Sequence, residues 1–291
     1  MKLGVFSDEI SQDFHHAAAV AREIGAHGLE LRSIWDTKAH DLPPKRLKEV
    51  HAILDEHSLE CYDIAGQVFK CDLDSKKEVD EHYDILKRCC DAARELGSPN
   101  VRAFTFWRKP DVALDDVWGK IVEHITRAAE LVAEAGLTLG IENEASAYIG
   151  GGKLLAKLFD DVEPTNVRAI WDPANAMFDP QAPEPVYPDG FEAIRDRLAI
   201  CHIKDGDGVI GRKGGNKYCA VGEGKAMLPE LIARLKRDAW DGYLSLETHW
   251  RTDKALDEAT VRSPNANISA GSAEASSRIC MTNLHKMLEE A

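Results

Sequence analysis

The sequence predicts an α/β protein, a single closed (β/α)8 barrel. Short apolar runs alternate with amphipathic helical patterns eight times along the 291 residues, with no linker composition between them. This alternation is typical of parallel strands joined by helices. An open doubly wound sheet, the alternative, would usually show a glycine-rich phosphate turn after its first strand, whereas Ser7-Asp8-Glu9 follows here. We therefore expect one barrel domain covering residues 1–291.

Each predicted strand is a short apolar run, and a helical pattern follows each of them. The predicted strands are residues 3–6, 28–31, 60–64, 100–104, 137–142, 167–171, 198–203 and 243–247. The predicted helices are residues 14–24, 44–57, 77–96, 114–135, 153–159, 191–197, 228–237 and 273–288. Two longer loops, the proline-rich residues 178–190 and the glycine-rich residues 205–225, follow strands six and seven. Each is either a lid over the site or a variable surface loop.

Composition excludes several classes of protein. The net charge of −14 argues against a binder of phosphate backbones, which needs a basic face. Acids at positions 8 and 9 precede any apolar signal region, and no run approaches the ~18 apolar residues of a membrane span. Seven cysteines without regular spacing fit reduced thiols. We expect a cytoplasmic protein that binds neither nucleic acid nor a membrane.

Four consecutive predicted strands end on residues that can bind a metal. These residues are Glu142, Asp172, His202 and Glu247. In a barrel, the carboxyl ends of the strands surround one shared site. Three carboxylates brought together there repel one another unless a cation compensates them. Carboxylates with one imidazole suit Mn²⁺, Mg²⁺, Co²⁺ or Zn²⁺. The sequence therefore predicts one divalent metal ion.

Five short motifs contain these residues or lie between them. They are Gly140-Ile-Glu142-Asn, Trp171-Asp172-Pro-Ala-Asn175, Cys201-His202-Ile-Lys204-Asp205, Val221-Gly-Glu-Gly224 and Gly242-Tyr-Leu-Ser-Leu-Glu247. In order and spacing the chain resembles the sugar phosphate isomerase/epimerase superfamily. These xylose isomerase-like barrels include ketose 3-epimerases, hydroxypyruvate isomerase, inosose dehydratase and 3-dehydroshikimate dehydratase. The resemblance covers nearly the whole chain.

The resemblance implies a metal-dependent enzyme of carbohydrate metabolism. The four strand-end residues would hold the metal, and Glu142 and Glu247 would also act as the acid/base pair. A cation bound to adjacent carbonyl and hydroxyl oxygens favours loss of the intervening C–H proton and stabilises the resulting enediolate. We expect an isomerase or epimerase acting on a small sugar, keto-sugar or polyol-derived carbonyl compound.

One departure favours a second reaction class. The ketose 3-epimerases of the superfamily carry a histidine three residues after the sixth-strand aspartate, where this chain has Asn175. An amide hydrogen-bonds but does not titrate. The alternative is therefore a dehydratase or lyase acting on a keto-sugar, keto-inositol or related compound, in which a leaving group departs after enolate formation.

Other residues near strand ends are candidate contacts to the substrate. They are Glu30, Arg32, Gln67, Trp107, Arg108, Asn175 and His249. Lys204 either neutralises an enediolate or acts as a base. The expected partner is a small-molecule carbohydrate, and the motifs leave open whether it is phosphorylated. Relatives are commonly dimers or tetramers, so a homo-oligomer is compatible with the resemblance.

Two other classes of function remain as alternatives. One is the endonuclease IV branch of the same barrels, which acts on DNA with three zinc ions and several more histidines at the barrel mouth. The net charge of −14 argues against it. The other is a sensor or binding protein that holds a metal and a ligand without turnover.

Overall fold

The computed structural model describes residues 1–182, 184–207, 218–253, 256 and 271–291. Eight parallel strands form a closed barrel with helices around it, which confirms the predicted fold class. In chain order the strands are β1 (Lys2–Phe6), β2 (Gly28–Leu31), β3 (Ser33–Ile34), β4 (Thr37–Lys38), β5 (Glu60–Val68), β6 (Asn100–Ala103), β7 (Thr138–Glu142), β8 (Val167–Trp171), β9 (Leu198–Ile203), β10 (Asp205–Gly206), β11 (Tyr218–Cys219) and β12 (Tyr243–Leu246).

The helices follow the barrel strands as the apolar periodicity predicts. They are α1 (Phe14–Glu23), α2 (Pro44–His57), α3 (Lys76–Leu96), α4 (Leu114–Glu134), α5 (Gly152–Asp161), α6 (Pro173–Phe178), α7 (Phe191–Ile194), α8 (Leu228–Arg237) and α9 (Ala273–Glu290). Around the barrel the strand order is β1-β12-β9-β8-β7-β6-β5-β2, so each strand lies beside its neighbours in the chain. Within the described residues, no helix is long and apolar enough to cross a membrane.

Three local features differ from the sequence prediction. Strand β5 continues to Val68, because Gly66 lets the Cys89 thiol approach to a point 2.6 Å from where a Cβ would lie. Helix α6 starts directly after Asp172, whose side chain accepts a hydrogen bond from the Asn175 N–H at its first turn. Strands β3 and β4 form a short antiparallel hairpin after β2. Propensity alone indicates none of these, because each depends on a contact outside the local pattern.

The two ends of the barrel interior have different chemistry. Near the amino ends of the strands, the rings of Tyr62 and Tyr243 stack with centroids 3.8 Å apart. Gly4 leaves room for the Tyr62 ring, which a Cβ would overlap. Near the carboxyl ends, the buried side chains are mostly ionic. The apolar end closes the barrel, and the ionic end is where the candidate site lies.

A glycine-to-alanine pair tests the packing of the barrel wall. A Cβ at Gly28 in β2 would lie 2.6 Å from the backbone oxygen of Glu60, which the paired strand holds in place. We expect Gly28→Ala to lower the free energy of unfolding by roughly 1–3 kcal/mol, as overpacking does. Urea denaturation followed by circular dichroism measures the change.

Gly119 in helix α4 is the matched control. A Cβ there meets nothing within 4 Å, so Gly119→Ala should be neutral or stabilising by about 0.5–1 kcal/mol. Equal stability of Gly28→Ala and the unsubstituted protein would contradict the packing of β2 against β5.

Candidate metal centre

The four strand-end residues meet in one buried cluster. Glu142 ends β7, Asp172 follows β8, His202 lies in β9 and Glu247 follows β12. Their possible ligand atoms all lie within 4.8 Å of one another. The Nδ1 atom of His202 is 3.6 Å from Oε1 of Glu142, 3.8 Å from Oδ2 of Asp172 and 3.7 Å from Oε2 of Glu247. The closed barrel therefore brings together residues that are far apart in sequence.

The unsatisfied atoms of this cluster fit a divalent cation. His202 Nδ1 and Asp172 Oδ2 are buried and have no hydrogen-bond partner, although Lys204 Nζ forms an ion pair with the latter at 2.6 Å. Separations of 3.6–3.8 Å are too long for hydrogen bonds. They approach the ~3.4 Å that separates two ligands of one tetrahedral cation. Three carboxylates and an imidazole are also a ligand set that such cations take.

Glu30 orients the imidazole of His202 from inside the barrel. Its Oε1 atom lies 3.3 Å from His202 Nε2, and its Oε2 atom accepts a 2.6 Å hydrogen bond from Ser245. Burial opposes the charged imidazolium, but the Glu30 and Glu142 carboxylates raise the pKa of His202 well above its ordinary value. A carboxylate behind a histidine in this way fixes the ring and leaves the other nitrogen for a metal.

A second buried carboxyl group, Asp63, faces Glu30. Burial and the charge of Glu30 raise the pKa of Asp63 well above its ordinary range. The pKa of Glu30 is lowered despite burial, because His202 and Arg102 stabilise its charge. Asp63 is therefore the neutral member of the carboxyl pair, and Glu30 is the charged one that faces His202.

Two buried arginines each hold one of the glutamates. Arg32 donates to Oε1 of Glu247 at 2.7 Å, and Arg102 donates to Oε2 of Glu142 at 2.8 Å. The remaining oxygen of each carboxylate faces His202. Burial disfavours the charged form of Glu247, but Lys204, His249 and Arg32 hold its pKa well below the ordinary range.

Arg102 is a site residue that the sequence analysis missed. It lies in β6 between the apolar residues Val101 and Ala103. Its other nitrogens donate to the backbone oxygens of Ala65 and Gly66 at 3.0 and 3.3 Å. A charged residue inside a buried strand requires a partner, and that signal could have identified it.

Lys204 lies between two carboxylates of the cluster. Its ammonium is 2.6 Å from Asp172 Oδ2 and 2.9 Å from Glu247 Oε2. Burial would favour the neutral amine, but Asp172 and Glu247 raise the pKa of Lys204 well above its ordinary value. Of the two roles open to it from sequence, a protonated lysine suits charge neutralisation.

His249 is fixed beside Glu247 by a buried glutamate. Its Nδ1 atom lies 2.8 Å from Oε1 of Glu9, and its Nε2 atom lies 3.8 Å from Oε1 of Glu247. Arg251 donates to the other oxygen of Glu9 at 2.8 Å. The backbone of His249 has φ 45°, in the left-handed region that non-glycine residues rarely adopt. Such conformations persist where the surroundings impose them, often at functional sites.

Asn175 contacts the cluster directly. Its side-chain amide donates to Oε1 of Glu142 and to the backbone oxygen of Asn143, both at 3.1 Å. Asn175 is buried, in helix α6. The amide therefore helps to position Glu142, in addition to the contact with substrate that the sequence predicts.

The other predicted contacts lie at the ends of β5 and β6. Gln67 is partly buried, and its side chain makes no hydrogen bond within the described part of the chain. Trp107 is partly buried and forms a β-bridge with Ala147. Arg108 is bound to both oxygens of Asp179 at 2.8 and 2.9 Å. Gln67 is thus uncommitted, whereas the guanidinium of Arg108 holds its own loop to the end of α6.

The loop 205–225 is held at both ends by one carboxylate. Asp205 accepts hydrogen bonds from the N–H groups of Gly206, Gly222, Gly224 and Ala226 at 2.9–3.2 Å. Gly222 has φ +88°, as the predicted glycine turn requires. Residues 208–217 of this predicted loop, and Pro183 of the proline-rich one, lie outside the described residues.

Comparisons with known proteins agree with this fold and ligand set. A model of the xylose isomerase-like TIM barrel family matches residues 18–273. The structure of the IolI protein with a binding zinc atom has a TM-score of 0.75 and 14% identity, covering 100% of this chain and 99% of that one. No curated protein matches the chain. The family match confirms the resemblance drawn from the motifs.

Two further solved structures show the same fold. D-allulose 3-epimerase from Methylomonas sp. in complex with D-allulose has a TM-score of 0.73 and 16% identity, covering 100% of this chain and 97% of that one. The probable 3-DHS dehydratase AsbF from Bacillus anthracis, involved in petrobactin synthesis, has a TM-score of 0.72 and 17% identity, covering 98% and 99%. At these identities the likeness is one of fold.

Metal addition should stabilise the folded protein. A cation that binds only the folded state raises the free energy of unfolding by about 2.7 kcal/mol at 100 times its Kd. We expect Mn²⁺ or Zn²⁺ to raise the thermal midpoint, and Asp172→Asn to remove most of the rise. Asp91→Asn, at an exposed helix position, is the control. An equal rise in Asp172→Asn would exclude Asp172 as a ligand.

Glu30→Gln should weaken metal binding without removing any direct ligand. Loss of the carboxylate behind a ligating histidine typically costs about 10- to 100-fold in metal affinity. Equilibrium dialysis with Zn²⁺ measures the change. Glu60→Gln, an exposed carboxylate at the opposite end of the barrel that binds Lys2, is the control. Unchanged affinity in Glu30→Gln would show that Glu30 does not orient His202.

Proposed function

Because the chain belongs to the xylose isomerase-like TIM barrel family, we propose that it is a divalent-metal-dependent isomerase or epimerase. Its substrate is a small sugar, keto-sugar or polyol-derived carbonyl compound. The observation that carries the proposal is the pair of buried glutamates, Glu142 and Glu247, which both face His202. Two other strands, β8 and β9, separate the strands from which they extend. Two carboxylates so placed reach a bound sugar from different directions.

The metal would be held by Glu142, Asp172, His202 and Glu247. When bound, a divalent cation supplies Lewis-acid polarisation of the substrate's carbonyl and hydroxyl oxygens. The unsatisfied atoms of His202 and Asp172 support this assignment.

The proton transfer belongs to the two glutamates. One carboxylate takes the proton from the carbon beside the carbonyl, and the other returns a proton from its own side. Arg32 and Arg102 keep these carboxylates oriented and favour their charged, basic form. Return to the same carbon on the opposite face gives epimerisation, and return to the neighbouring carbon gives aldose–ketose exchange.

Lys204 has the charge needed by the intermediate. Its ammonium is buried beside Asp172 and Glu247 and stays protonated. A fixed positive charge near the developing enediolate oxygen stabilises it more in this buried site than it would in water. Lys204 therefore acts as an electrostatic catalyst in the proposed reaction.

A dehydratase or lyase is the second candidate function. It is favoured by Asn175, which stands where ketose 3-epimerases of the family carry a histidine and whose amide is bound to Glu142. Enolate formation would then be followed by loss of a leaving group from a keto-sugar, keto-inositol or related compound. The carbonyl chemistry at the cluster is the same up to that step.

Several finer expectations accompany the proposal. We propose Mn²⁺ as a suitable metal, one domain over residues 1–291, and a cytoplasmic location. We further propose a small-molecule carbohydrate as partner, with no nucleic acid. Glu30, Gln67, Trp107, Arg108 and Asn175 are proposed as the polar and aromatic wall around the substrate. Assembly into a homo-oligomer stays a prediction.

Hydrogen exchange in D₂O tests the proposed function. The Mn²⁺-loaded protein, given a panel of ketoses and keto-inositols, should incorporate deuterium at a carbon next to the carbonyl. Glu142→Gln and Glu247→Gln should each lower the rate about 10²- to 10⁴-fold, the usual contribution of a general base. Glu60→Gln should exchange at the unsubstituted rate. Proton NMR and mass spectrometry follow the reaction.

Product masses separate the two candidate reactions. Isobaric products indicate an isomerase or epimerase, whereas loss of water or another leaving group indicates a dehydratase or lyase. Absence of both exchange and mass loss on every carbonyl compound would reject the proposed function and favour a binding protein.

A further inference from the structure

Lys38 extends from the hairpin that follows strand β2 at the barrel mouth. In the antiparallel pair β3–β4 it lies directly opposite Ser33, so the two side chains project from the same face of the hairpin. Ser33 donates a 2.8 Å hydrogen bond to Asp8, which also binds Arg32 at 2.9 Å. The N–H of Ala39, next to Lys38, donates to the backbone oxygen of Arg32 at 3.0 Å. The hairpin thus places Lys38 beside the arginine that holds Glu247.

Lys38 is an uncompensated cation in these surroundings. It is partly buried and forms no ion pair or hydrogen bond through its side chain within the described residues. Other cations near the site have carboxylate partners, namely Arg32 with Asp8 and Glu247, Arg102 with Glu142, Lys204 with Asp172 and Glu247, and Lys70 with Glu144. Burial and the charge of Arg32 lower the pKa of Lys38 to about 8.

The free amide of Gln67 adds a second uncommitted group. It lies near the end of β5, the strand that pairs with β2. Its side chain also makes no hydrogen bond in the described part of the protein. Two neighbouring strands of the barrel therefore carry polar side chains whose hydrogen-bonding capacity the protein leaves unused. A bound molecule with an anionic group would satisfy both.

We propose that Lys38, assisted by Gln67, binds an anionic group of the substrate, a carboxylate or a phosphate. The rest of the substrate then extends towards Glu142 and Glu247. This inference rests on the proposed function, since it names the substrate class for the same site. It assigns the selection for charged carbonyl compounds to the hairpin β3–β4, outside the metal-binding cluster. Neutral sugars would lack the group that pairs with Lys38.

Binding of matched four-carbon probes tests the assignment. The probes are erythritol, its carboxylate erythronate and its phosphate ester, titrated by calorimetry into the Mn²⁺-loaded full chain. At least one anionic probe should bind about tenfold or more tighter than erythritol, as a charge-assisted hydrogen bond allows. The anionic probe that gains more identifies carboxylate or phosphate as the recognised group.

Substitutions assign that preference to Lys38. Lys38→Gln should remove the preference and leave erythritol binding unchanged, whereas Lys38→Arg should keep a large part of it. Lys45→Gln, at an exposed position of helix α2, removes the same charge and should behave as the unsubstituted chain. Circular dichroism and the thermal midpoint confirm that each variant is folded.

Three outcomes would overturn the inference. They are absence of binding by every probe, equal binding of neutral and anionic probes, and equal loss for both kinds of probe in Lys38→Gln. Calorimetry requires no turnover, so the result is separate from the exchange assay. Anion binding through Lys38 without deuterium exchange would reject the proposed reaction and retain the anion site. Exchange without an anion preference would do the reverse.

Discussion

The buried carboxylates around His202 impose the main constraint on this structure. Glu142, Asp172 and Glu247 are almost fully inaccessible to water. Moving one such ion out of water costs several kcal/mol even after relaxation, and the mutual repulsion adds to that cost. The chain compensates with Arg32, Arg102 and Lys204, which come from different strand ends. Closing the barrel is thus the step that brings the charges and their counter-charges together.

The fold and the ligand set could be predicted because both depend on local sequence. Strands β8 and β9 have the predicted bounds, since their apolar runs are flanked by polar or turn-forming residues. Once those strands are placed in a barrel, Asp172 and His202 must reach the shared end. Asn143 reinforces the register by accepting a hydrogen bond from the Asp172 N–H at 2.8 Å and donating to its carbonyl oxygen at 2.9 Å.

The supporting contacts could not be predicted in the same way. Arg32 and Glu247 are 215 residues apart in the chain, and Glu9 and His249 are 240 apart. Periodicity locates a strand end but does not say which distant charge will lie opposite it. Asn175 illustrates the same limit. Its position suggested a substrate contact, whereas the Glu142 carboxylate it binds is visible only when β7 and α6 are placed in space.

Orientation of the imidazole is decided inside the barrel. Tyr62 is hydrogen-bonded to Ser245 at 2.6 Å, Ser245 donates to Glu30, and Glu30 lies against His202. The packed aromatic end of the barrel is therefore linked through buried polar groups to the candidate metal centre. Loops at the mouth contribute little to that geometry. The hairpin carrying Lys38 can consequently change the charge of the molecule that binds without disturbing the residues proposed to do the chemistry, as expected where a rigid scaffold presents variable loops.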